Sequence, residues 1–76
     1  MIHSRRVRRT EAAAYIQEEH GIPCAPKTLA KYAVQGGGPT FRKAGNVPLY
    51  ELSDLDAWAE SRLSKPVRST AELRAA

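Results

Sequence analysis

The chain reads as mainly α-helical with a small β-hairpin, and three observations lead there. Apolar residues recur at helical spacing in three segments. Each segment is closed by glycine or by a Lys-Pro step. Between the second and third, the pattern shortens to two brief alternating runs around Ala44-Gly45-Asn46. At 76 residues there is room for one domain, and a chain of this length buries only about 60% of its unfolded surface, so a binding partner would add needed stability.

Four arginines, Arg5, Arg6, Arg8 and Arg9, lie within residues 1–9. They are read as a basic arm able to grip phosphates, with a solvated terminus as the plain alternative. Val7 anchors its inner end by packing back on the first helical turns. The first helix is expected over Thr10 to His20, capped by Thr10 or the residue before it, with Glu11 at the positive end of the dipole. Ala12 or Ala13 with Ile16 forms its buried stripe, Glu18 and Glu19 face water, and Gly21 ends it. Ile22 plugs the corner, and Cys24 is a packing residue and not a reactive thiol.

Pro26 to Gly38 predicts the second helix. Proline suits the first turn because its missing N–H has no partner there, and Gly36 to Gly38 supply a hard stop. Leu29, Tyr32 and Ala33 face inward, leaving Lys27, Thr28, Lys31 and Gln35 to look outward. From periodicity alone, a solvated face with two ordinary lysines explains this as well as a nucleic-acid contact does. In the hairpin that follows, Pro48 implies an edge strand or an irregular tip. Arg42 and Lys43, being adjacent, point to opposite faces. Ser53 with Asp56 three residues on reads as a capping-box variant that opens a third helix, Ser53 to Leu63, with Trp58 as the main core anchor. Residues 64–76 form a tail, with a short helix predicted from Ser69 or Thr70 to Ala76.

The order helix, turn, helix, hairpin, helix is that of a winged helix-turn-helix spanning residues 7–63. Here the residues carry a resemblance as well. The segments E-A-A-A-Y-I (Glu11 to Ile16), T-L-A-K (Thr28 to Lys31), G-G-P (Gly37 to Pro39), F-R-K-A-G (Phe41 to Gly45) and Y-E-L-S-D-L-D-A-W (Tyr50 to Trp58) resemble those of small MerR-related excisionases and AlpA-type regulators. The resemblance implies a second helix that enters the major groove and a wing that touches the minor groove or backbone. It favours Lys27, Thr28 and Lys31 as major-groove contacts, with Gln35 secondary, and Lys43 over Arg42 on phosphate. Two departures stand out. Gln17 to Ala25 makes a longer connection than the family's short turn, and Ala25 stands where a serine or threonine cap is usual. The wing tip lacks the arginines common there, leaving Asn46 as its polar reader.

The charge of +4 and the pI near 9.6 suit an anionic partner, and double-stranded DNA is the one the resemblance implies. It also implies a site-specific integrase and cooperative self-association on DNA. The leading expectation is therefore an excisionase, or recombination directionality factor, of a mobile element, which bends attachment-site DNA to assist an integrase. A transcriptional regulator on the same fold is the second, and a protein-interaction adaptor the third. An enzyme is not expected: His3 and His20 lack neighbouring ligands at metal spacing, no nucleophile and base pair stands out, and the glycine run closes a helix instead of cradling a phosphate. No metal or cofactor is expected. With a lone Cys24, no apolar run of about 20 residues and no signal segment, the chain is expected in the bacterial cytoplasm without membrane contact.

Overall fold

The computed structural model describes residues 5–64 and 66–71 of the chain. It contains β1 (Arg6–Val7), α1 (Arg9–His20), α2 (Pro26–Gln35), β2 (Arg42–Ala44), β3 (Val47–Glu51) and α3 (Leu52–Arg62). The strands form one antiparallel sheet in the order β1-β3-β2. Three helices with a small hairpin sheet make this a winged helix-turn-helix. No helix among the described residues is long and apolar enough to cross a membrane.

The core sits where α1 meets α2, α3 and β3. Ile16, Leu29, Tyr50 and Leu55 are its largest fully buried side chains, each contributing roughly 1.5–3 kcal/mol by leaving water. Ala12, Ala13 and Ala59 are buried to within 1%, so small side chains set the close approach of the helices. Cys24 belongs to this cluster, and burial raises its thiol pKa. Ile22 packs against the core from the corner. Trp58, expected as the main anchor, is only half-buried at its margin. The centre is filled instead by Tyr50, because the strand pair β1 and β3 directs Val7 and Tyr50 inward from opposed positions.

Helix boundaries follow the local chemistry with three corrections. The α1 helix starts one residue early, at Arg9, with Arg8 as a cap that offers no side-chain bond, so neither Thr10 nor the residue before it is the cap. It ends at a left-handed Gly21 whose N–H returns to the Gln17 carbonyl. The expected long connection from Gln17 is therefore five residues, Gly21 to Ala25, since helix continues to His20. The Gln17 side-chain amide donates to the Cys24 carbonyl and ties the two ends of that turn. Finally, α3 opens at Leu52 after Glu51, which gives no side-chain cap bond. The capping box expected at Ser53 does not set the start, and Asp56 is engaged elsewhere.

The wing turns on Gly45-Asn46, between the paired Ala44 and Val47. Gly45 has φ of 66°, and among the described residues no non-glycine residue has positive φ. A glycine at the first central position followed by an ordinary residue is the type II′ pattern, whose twist suits a two-residue hairpin. By strand order β3 is central, not an edge. Pro48 is still tolerated, because β1 pairs only with Tyr50 and Glu51 and leaves the Pro48 stretch of that side open. The arm is likewise more structured than residues 1–9 suggested: Arg6 and Val7 are a strand, and the Leu52 N–H extends the ladder to the Arg5 carbonyl at 3.0 Å. In the tail, helical backbone begins at Thr70, while residues 1–4 of the arm, with His3, and the expected helix beyond Ala71 lie outside the described residues.

Candidate nucleic-acid interface

Helix α2 has two unlike faces. Leu29 is buried and Tyr32 and Ala33 are half-buried, whereas Lys27, Lys31, Val34 and Gln35 are exposed. Thr28, expected to look outward, is half-buried on the shoulder between them, and its N–H bonds to the Ala25 carbonyl at 2.9 Å in the first turn. No acidic residue occurs in the ten residues of the helix. Its N-terminus, after Ala25, has no side-chain cap.

The far end of α2 is held by a compact aromatic arrangement. The Gly36 N–H returns to the Tyr32 carbonyl at 2.6 Å, and the Trp58 indole N–H donates to the Gly37 carbonyl at 2.9 Å. Tyr32 and Trp58 meet edge to face with centroids 5.8 Å apart. The Arg62 guanidinium lies 5.7 Å from the Tyr32 ring centre and 5.6 Å from that of Trp58, and it donates to the Tyr32 hydroxyl at 3.2 Å. Gly36 and Gly37 adopt φ near 90°, which L side chains rarely take. At Gly38 space is the constraint: a Cβ there would lie 2.5 Å from the Cβ of Tyr32. The three glycines thus do more than stop the helix. They let the chain pass over Tyr32 and enter the wing in a fixed direction.

The arginines of the arm divide by partner. Arg5 pairs with Glu11 at 3.2 Å in the open, and Arg6 pairs with the half-buried Glu51 at 3.6 Å. Arg9, expected on DNA, lies in α1 and donates from Nε to the Tyr50 hydroxyl at 3.2 Å. It is half-buried and satisfies the polar tip of the central core tyrosine. Arg8 is exposed and shares a shallow cleft with Arg9, Thr10, Asn46, Val47 and Pro48. A second cleft brings Arg6 beside Arg42, Lys43, Ala44 and Leu49. Cross-strand pairing puts Arg42 with Leu49, and Arg6 with Glu51, on the outer face of the sheet. Lys43 pairs with Pro48 on the Tyr50 face, beyond the core. Arm and wing are therefore brought together in two basic clefts. Lys27 and Lys31 form a separate group on α2.

Two features escaped the sequence reading. Val34 lies 88% exposed amid the α2 lysines, and its only advance signal was an apolar residue off the buried stripe. Asp56 is a polar hub: its carboxylate accepts from the Tyr15 hydroxyl at 2.7 Å and lies 2.8 Å from His20 Nε2. The Tyr15 bond, then the His20 bond, lowers the Asp56 pKa. The same carboxylate pushes Tyr15 up to about 12. Among the described residues, no group of three or more His, Cys, Asp or Glu could hold a metal ion. The chain matches no protein-family model and no curated protein.

Proposed function

We propose that this protein binds double-stranded DNA in a sequence-dependent way, with α2 in the major groove and the wing and arm on flanking backbone. The observation that supports this best is the asymmetry of α2, whose inner face is fixed by Leu29, Tyr32 and Trp58 while its outer face offers Lys27 and Lys31 without an acid. A helix held rigidly from behind meets the need of base readout, since contacts to base edges require fixed donors. Arg8 and Asn46 in one cleft, and Arg42 and Lys43 in the other, supply groups for phosphate oxygens. The proposed role is that of an excisionase acting beside an integrase, supported by the resemblance to small MerR-related excisionases, and it involves no covalent chemistry of its own.

The test is selection of duplexes from a random-sequence pool, followed by affinity measurements across a range of salt. The parent chain should enrich a defined sequence and show a steep salt slope, matching about 4 to 7 phosphate contacts per monomer. Replacing Lys27 and Lys31 together by alanine should weaken binding by about 1–3 kcal/mol for each base edge that a lysine reads. Both side chains are exposed, so the unfolding free energy should hold to within about 0.5 kcal/mol. A flat salt dependence with no enriched sequence would remove the DNA reading and leave the adaptor. Where binding is found, a recombination assay with the integrase of the same element assigns the role: equal excision with and without this protein, alongside altered output from a nearby promoter, would make it a transcriptional regulator.

A further inference from the structure

Electrostatics accounts for the lysines of α2 but not for the apolar side chain in line with them. Val34 is 88% exposed, against 51% for Leu63, the other large apolar residue left in the open among those described. A solitary surface valine is ordinary. The position of this one is informative. It stands at i+3 from Lys31 and i+7 from Lys27, so at 100° per residue it lies on the same outward line as both cations. The line from Lys27 to Val34 is roughly 10 Å long, and the major groove is about 12 Å wide.

Two kinds of surface could cover an apolar spot of this size. An apolar protein patch would have to accept two ammonium groups beside it. The major groove of DNA offers the ammoniums base-edge acceptors and the phosphate oxygens that border it and, at the base edges, one exposed apolar group, the C5-methyl of thymine. The absence of any acid from α2 makes the second the better electrostatic match.

We propose that Val34 determines specificity by packing on a thymine C5-methyl in the major groove, an inference that rests on the DNA-binding reading above. It follows that the site contains at least one thymine whose methyl contributes to affinity independently of charge. The binding surface should also discriminate against RNA duplexes, whose uracils lack the methyl and whose major groove is too narrow for a helix.

The experiment uses the full chain and the duplex it enriches from the random pool. Each thymine is replaced in turn by deoxyuridine, which removes the methyl and nothing else. One or two positions should lose about fourfold in affinity, the worth of one buried carbon group. With Val34→Ala, affinity for the thymine duplex should fall and those positions should become insensitive to uracil, while the salt slope stays that of the parent. Val34→Thr, which keeps one methyl and the β-branch, should retain part of the sensitivity and covers the case in which the alanine variant folds poorly. Uniform tolerance of uracil by the parent overturns the proposal, as does equal sensitivity in parent and Val34→Ala. If the parent enriches no sequence at all, the DNA reading itself has failed, an outcome distinct from either of these.

Discussion

The two faces of α2 differ in what surrounds them, and the contrast separates, within ten residues, the face that holds the fold from the face proposed to read DNA. On the inner side every polar atom that matters has a partner: the Trp58 indole on the Gly37 carbonyl, the Arg62 guanidinium on the Tyr32 hydroxyl, the Gly36 N–H on the Tyr32 carbonyl. On the outer side Lys27, Lys31, Val34 and Gln35 project into water. Removing an inner group should destabilise the domain; removing an outer one should leave its stability nearly unchanged. A small domain, whose net stability is modest, gains from such a division because the outer face can change without weakening the fold.

The largest effect should come from Trp58→Ala. It removes a half-buried aromatic that touches Tyr32, Arg62 and the glycine turn together. A destabilisation of about 2–3 kcal/mol is expected, toward the low end for aromatic truncation because the ring is at the core margin. In a domain of this size that is a fall in Tm on the order of 10–20 °C, measurable by circular dichroism. An unchanged Tm would break the contrast, since the inner face would then be no more constrained than the outer.

Gly38→Ala should be next, at about 1–3 kcal/mol, the usual range for forcing an extra carbon into a filled site. The new Cβ would meet the Tyr32 Cβ at 2.5 Å and its Cγ at 3.1 Å. The first of these atoms is fixed by the helix backbone and cannot swing aside. Tyr32→Ala keeps its Cβ, so in that background Gly38→Ala should still be costly, as urea unfolding of the four variants in a double-mutant cycle would show. Complete relief in the Tyr32→Ala background would mean that the ring, and not the backbone path, is the constraint.

The same division explains what could be read in advance. Pro26, the buried Leu29 and the glycine stop are local signals, and α2 lies where they put it. The wing was equally legible, since the hairpin closes on Gly45-Asn46 through two residues. Contacts across the chain had no such signature. Trp58 reaches Gly37 over 21 residues and Tyr15 reaches Asp56 over 41. Nothing local told that Arg6-Val7 would complete a sheet with Tyr50-Glu51. Asp56 shows the failure most clearly. Its spacing from Ser53 matches a cap, but α3 begins at Leu52 and the carboxylate is drawn to Tyr15 and His20 on α1. The candidate interface divides in the same manner: the outward lysines follow from helical period, whereas Arg9 was claimed by Tyr50, a partner 41 positions away.

The smallest expected effect concerns that same Asp56, which joins α1 to α3 away from the outer face of α2. Its pKa is lowered, first by the Tyr15 hydroxyl and then by His20. A depressed carboxylate contributes stability that is present above its ordinary pKa of 3.8 and disappears as pH falls through the lower folded value. Tyr15 carries the opposite sign: raised from 10.0 to about 12, it contributes below pH 10.0 and its share is lost as pH rises through about 12. The acid effect is modest because the Asp56 side chain is 48% exposed and water screens it. Asp56→Asn should therefore flatten the decline of urea stability as pH falls below about 4. The variant should also return the Tyr15 phenolate titration toward 10.0, seen as a near-ultraviolet difference against Tyr15→Phe. On the proposed DNA-binding function, affinity for DNA near neutral pH should not change. A fall in affinity with stability intact would show that the α1 to α3 tie also sets the angle of α2, and the separation between the two faces would no longer hold.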